Sequence, residues 1–107
     1  MIFTKYNIDI KDQIVRDDIK KIINQVYKLL PMREESLDWQ KLLETLIVQL
    51  GGMSRLFDDQ QEVFFPLLCK MEGLFNLTKD NDFQLYRRTI FECLSLLNTL
   101  LKNVITN

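Results

Sequence analysis

The stretch Phe83–Ile105, FQLYRRTIFECLSLLNTLLKNVI, decides how the chain is read. An ideal α-helix advances about 100° per residue. On that wheel Phe83, Tyr86, Ile90, Cys93, Leu94, Leu97, Leu100, Leu101, Val104 and Ile105 gather on one side, and Phe91 and Leu96 widen the arc. Gln84, Arg88, Glu92, Ser95, Thr99, Lys102 and Asn103 make the polar strip that remains. A surface helix needs an apolar stripe only a little over ~100° wide, and this one is about twice that. The spacing therefore predicts one long helix covered on several sides, by its own chain or by another.

Three further helices can be read outward from it. Ile8, Val15, Ile19, Ile22, Ile23, Val26, Leu29 and Leu30 recur at spacings of three and four, which predicts a helix over 10–30. Pro31 is expected to end it, because the residue before a proline is pushed out of helical backbone. The leading MIFTKYN reads as an ordered arm or a frayed end, with Phe3 and Tyr6 able to pack back on the rest.

Ser36 is then a predicted N-cap, with Asp38 in the first turn. The stripe Trp39, Leu42, Leu43, Leu46, Ile47, Leu50, Met53, Leu56 and Phe57 keeps its phase through Gly51 and Gly52. That favours a helix running on to Phe57 over one stopped by a left-handed cap at Gly51. The glycines then mark a bend or let another backbone approach closely. Asp58 and Asp59 look like a cap, and Asp59 with Glu62 resembles a capping box.

Val63, Phe64, Leu67, Leu68, Met71, Leu74 and Phe75 predict a third helix ending near Phe75. Pro66 leaves its start open, either at the acidic cap or at Phe65 or Pro66. A polar connection, 76–82, follows, and Asp80 or Asp82 can cap the last helix. No repeat or linker divides the chain. The fold class read from the sequence is all-α: one domain over 1–107, a four-helix bundle, mostly antiparallel, with the C-terminal helix as its long central strut.

Composition narrows function mainly by exclusion. Hydrophobic residues make up 47% of the 107 and charged residues 27%, enough apolar material for a core. No apolar run approaches the ~18 residues of a membrane span, and the N-terminus lacks a signal-peptide centre, so the expectation is a cytoplasmic protein with no membrane partner. Histidine is absent. That removes Ser-His-Asp and Cys-His nucleophile pairs, histidine zinc sites and histidine pH switching. Cys69 and Cys93 are too few for a disulfide framework and read as reduced, half-buried thiols.

Asp58, Asp59 and Glu62 form the tightest carboxylate cluster. Clustered oxygens suit hard cations, but a helix start accounts for these acids without one. Gly51-Gly52 lacks the Lys and Ser or Thr of a phosphate loop. No cofactor, no metal and no catalytic residue are expected, and no family motif stands out.

What remains is binding. The formal net charge of −1 is unevenly spread: 1–33 hold seven cations against four acids, 34–62 two against seven, and 63–107 five against four. Arg88 falls in the polar strip of the last helix, whereas Arg87 falls inside the apolar arc beside Leu94 and Ile105. Arg87 is predicted to bridge to an acid of 34–62, or to meet a second chain or a phosphate. Phe65 lies off its helix's stripe and is a candidate anchor for a partner.

The expected function is a small non-catalytic protein that binds another protein through a helix face, as regulator, inhibitor, adaptor or complex subunit. It is expected also to self-associate as a dimer, and the candidate partner-binding residues are Phe65, Arg87, Leu96 and Leu100. The alternative is a nucleic-acid-associated subunit using Lys11, Arg16, Lys20, Lys21 and Lys28 of the first helix together with Arg88.

Overall fold

The computed structural model describes residues 5–105, with side chains described for 13–103. Among these residues there are four α-helices and no strands: α1 Lys5–Glu34, α2 Trp39–Ser54, α3 Gln61–Gly73 and α4 Phe83–Ile105. Three single-turn 3-10 segments, Asp58–Gln60, Leu74–Asn76 and Asp80–Asp82, sit in the connections. Each helix packs on two others, in the cyclic order α1, α2, α3, α4. End-to-end contacts make every neighbouring pair antiparallel. Gln61 Nε2 donates to the Ser54 and Phe57 carbonyls where α2 meets α3, and Asn103 Nδ2 donates to Gln60 Oε1 at 2.9 Å where α4 ends beside the start of α3.

The periodic stripes meet as the sequence requires. Ile19, Val26 and Leu29 from α1, Leu43, Leu46 and Leu50 from α2, Phe64, Leu67 and Met71 from α3, and Ile90, Cys93, Leu97 and Leu100 from α4 are all fully buried. Burying each large aliphatic side chain contributes about 1.5–3 kcal/mol. No polar or charged residue is fully buried among the described side chains.

Both prolines sit inside helices, which corrects the expected boundaries. Pro31 does not end α1; the helix runs on to Glu34, and the Glu35 N–H donates to the Pro31 carbonyl at 2.9 Å. An interior proline costs about 3 kcal/mol. The added turn offsets this by placing Met32 against the core and Arg33 against the far loop. Pro66 likewise lies beyond the first turn of α3, between buried Phe64 and buried Leu67, so α3 starts at Gln61 rather than at Phe65 or Pro66.

The caps differ as well. Ser36 is not the N-cap of α2; it takes φ 59° and closes α1, with its N–H donating to Arg33 O and the Leu37 N–H to Met32 O. That pair of bonds is a Schellman closure. The N-cap of α2 is Asp38, whose Oδ1 accepts the Lys41 N–H at 3.2 Å. The Asp59–Glu62 capping box does not form, because Gln60 holds the N-cap position and its side chain makes no cap bond. Before α4 it is Asp82, through Oδ2, that accepts the Lys79 N–H. The helix α2 passes through Gly51 and Gly52 but stops at Ser54, short of Phe57. No atom lies within 4 Å of a Cβ added at either glycine, so no backbone approaches there.

Arg33 was not singled out in the sequence, where it looks like part of a polar loop. Its guanidinium donates to Leu77 O from Nε (3.2 Å) and Nη2 (2.9 Å), and to Lys79 O from Nη2 (2.7 Å). The same group lies 5.3 Å from the Phe83 ring centre and 4.8 Å from that of Tyr86. The ends of α1 and α3 and the start of α4 are thus tied at one end of the bundle.

Candidate functional site

Two clefts open on the outside of the described bundle. The first lies between α1 and the C-terminal half of α2 and encloses about 420 Å³. Val15, Asp18, Lys21, Ile22 and Gln25 form one wall; Val48, Gln49, Gly52, Met53 and Leu56 form the other. Val48 is 69% exposed and Leu56 61%. They are four residues either side of Gly52, Val48 on α2 and Leu56 in the turn that follows it, and both line the same wall. That wall therefore has two apolar knobs with a notch between them. Ile14, 56% exposed, precedes Asp18 and Lys21 on the same row of α1.

The second cleft, about 450 Å³, lies between α1 and α4 and is wide open. Tyr27 forms its α1 side; Phe91, Leu94, Ser95, Asn98, Thr99 and Lys102 form its α4 side. Tyr27 is 49% exposed and Phe91 44%. The Arg87 guanidinium stacks over the Phe91 ring at 5.4 Å, one turn along the same helix.

That contact corrects the expectation for Arg87. It is exposed and pairs with no acid of 34–62; among the described residues the ion pair that ties α4 to a neighbour is Lys70–Glu92 at 3.4 Å. An arginine in a wide apolar arc has two ways to be satisfied, an acid or an aromatic face, and here the ring one turn away on the same helix serves.

Leu100 is fully buried and Leu96 is half-buried against the core, so neither is free surface for a second chain. Among the described side chains of α4, the large apolar ones left mostly in solvent are Leu85 and Phe91. Phe65 is 70% exposed on α3, away from both clefts.

The basic face of α1 divides. Lys21 lines the α1/α2 cleft, and the 100° advance puts Lys28 on that same side. Arg16 and Lys20 turn instead toward Tyr27 and α4. Arg16 is half-buried, with its Nε enclosed and without a hydrogen-bond partner. Lys20, Lys21, Lys28 and Arg88 are exposed. Phe3 and the side chains of Tyr6 and Lys11 lie outside what is described.

The acidic cluster gathers no site: Asp58, Asp59 and Glu62 are exposed, and no group of three or more His, Cys, Asp or Glu able to hold a metal occurs among the described residues. The cysteines are both free, but they are not alike; Cys69 is exposed and Cys93 is buried. Burial pushes the Cys93 thiol up to about 12, with Lys70 pulling it down and Glu92 adding to the rise. No described helix is long and apolar enough to cross a membrane. Comparison with known protein families, with curated proteins and with solved structures finds no match to this chain.

Proposed function

We propose that the protein is a non-catalytic docking module that acts by protein–protein association, and that the α1/α2 cleft receives a second copy of the chain. One observation carries this reading: Val48 on α2 and Leu56 in the turn after it, two exposed apolar side chains four residues either side of Gly52, line one wall of a cleft of about 420 Å³. A two-fold axis through the notch sets Val48 of one copy against Leu56 of the other, in an isologous contact. Gly52 at the crossing point allows the two helices to approach closely.

The rim supports the same pairing. Asp18 and Lys21 stand one turn apart with opposite charge, so the two-fold brings Lys21 of each copy toward Asp18 of the other. Such rim pairs set register more than affinity. The apolar knobs supply the affinity, as central anchors do in most interfaces.

The test is solution mass by light scattering across a range of protein concentrations, with the full chain and with Val48→Glu and Leu56→Glu. The expected result is a dimer that either substitution converts to a folded monomer whose melting temperature no longer rises with protein concentration. A monomer at every concentration overturns the self-association. A dimer unaffected by both substitutions moves the interface elsewhere.

A further inference from the structure

The α1/α4 cleft supports a separate activity, independent of the docking reading. Tyr27 and Phe91 present half-exposed rings to one open cleft. Ser95, Asn98 and Thr99 add hydrogen-bonding groups to its wall, and Lys102 adds a cation. Arg87 extends the Phe91 ring with a stacked guanidinium plane.

Among the described side chains, the middle of this cleft carries cations and no carboxylate. By the 100° advance, Arg16, Lys20, Ile23 and Tyr27 share the α4-facing arc of α1, while Arg87, Phe91, Asn98 and Lys102 share the α1-facing arc of α4. From Gln13 to Pro31 on α1, and along the described side chains of α4, no carboxylate falls on either arc. Asp17 and Asp18 point to the other side of α1, and Glu92 is engaged with Lys70 on the α3 side. Acids bound this face at both ends: the same advance, carried back along the sequence, places Asp12 one turn and Asp9 two turns before Arg16 on this arc, and Glu34 two turns beyond Tyr27. Between those acids, a chain of overall charge −1 thus carries a central patch of cations interleaved with aromatic rings.

That combination has a specific ligand chemistry. Cations alone attract any polyanion, but rings left in solvent between them add stacking with unpaired bases. An acidic peptide uses the charges and leaves the rings idle. A duplex hides its base faces, so it too gains nothing from Tyr27 and Phe91. We infer that the α1/α4 cleft binds single-stranded nucleic acid, with bases stacked on Tyr27 and Phe91 and phosphates on Arg16, Lys20, Arg87 and Lys102.

The experiment is fluorescence anisotropy of the full-length chain with labelled twenty-nucleotide oligo(dT) and oligo(U), and with a duplex of equal length. Four phosphate contacts on a single strand give a log–log salt slope of roughly −2.8, a loss of about 50-fold in affinity between 50 and 200 mM salt. Phe91→Ala is expected to weaken binding at least ~10-fold, Phe91→Tyr to retain it, and Arg87→Ala to make the slope shallower by ~0.7. Lys41→Ala, on α2, is the control and leaves binding unchanged. The inference is overturned by no binding at 50 mM salt, by a preference for the duplex, by equal competition from poly-glutamate, or by Phe91→Ala binding as the parent does. Melting curves of each variant confirm that the bundle is intact, and if Phe91→Ala unfolds it, Tyr27→Ala and the Phe91→Tyr comparison carry the result.

Discussion

The guanidinium carbon of Arg33 lies 4.8 Å from the centre of the Tyr86 ring, at the place where α1 ends and α4 begins. Tyr86 is itself fully buried, donates its hydroxyl to the Leu29 carbonyl at 3.3 Å and meets Trp39 edge to face at 5.2 Å. One ring therefore gathers α1, α2 and α4. Arg33 brings in the α3–α4 connection through the carbonyls of Leu77 and Lys79.

Replacing Arg33 with alanine removes charge-assisted hydrogen bonds to two carbonyls and the packing on two rings. The expected loss is about 2–3 kcal/mol, since hydrogen bonds to a charged group are worth about 1.5–3 kcal/mol. Lysine, a compact charge without the planar fork, is expected to recover less than half of it. Urea unfolding of the two variants gives the comparison. Equal stability of Arg33→Ala and the parent means that the three hydrogen bonds only replace equivalent bonds to water.

Alkaline pH should unfold the bundle through two buried acids. Burial raises the Cys93 thiol from 9.0 to about 12, and it holds the Tyr86 phenol above its ordinary range against the pull of Arg33. Both groups stay neutral in the fold but ionise in the unfolded chain. Their contribution is therefore complete below pH 9 and is lost as pH climbs toward the folded values, first for Cys93 and above pH 10 for Tyr86. Urea midpoints at pH 8, 9.5 and 10.5 should fall progressively. In Cys93→Ala, destabilised at every pH by its cavity, the fall between 9 and 10 should flatten. Thiol labelling at pH 8 should count one reactive cysteine, Cys69, in the native chain and two in denaturant.

Much of this object was legible in the sequence because helical periodicity survives any detail of packing. The stripes of α1, α2, α3 and α4 each predicted a core face, and Ile19, Leu46, Leu67 and Leu97 are fully buried on those faces. Pro31 and Pro66 misled because a local preference of ~3 kcal/mol competes with tertiary contacts that the sequence does not display. Arg33 stayed hidden for the same reason: its partners are main-chain carbonyls 44 and 46 residues away. Arg87 was legible as an anomaly but not as a contact, since Phe91 on the same helix satisfies it without a distant acid. The two clefts depend on which helices are neighbours, and that order is a property of the assembled bundle.

Ser36 is the place where a glycine should improve the chain. At φ 59° a side chain crowds the following carbonyl, at a cost of roughly 1–2 kcal/mol. The Schellman bonds of Ser36 and Leu37 involve the main chain alone and survive the change. Part of the gain is offset by the greater freedom of glycine in the unfolded chain. Ser36→Gly is expected to raise stability by about 0.5–1 kcal/mol, read as a higher urea midpoint at unchanged slope. Ser36→Val should lower it.

Gly51 and Gly52 separate the demands of folding from those of docking. Both lie inside α2, neither has a positive φ, and no atom lies within 4 Å of the Cβ that alanine would add. A helix-interior glycine costs about 0.5–1 kcal/mol relative to alanine. Each Gly→Ala substitution should therefore stabilise the monomer by about that amount, by thermal or urea unfolding. Nothing in the fold itself calls for glycine at either position. If the notch at position 52 serves a second copy, the two readouts must diverge: Gly52→Leu should keep or raise the melting temperature of the isolated chain while shifting it to monomer by light scattering. Gly51→Ala, outside the cleft wall, should gain stability and keep the dimer. Equal effects at both positions on self-association would show that the cleft is not where the copies meet.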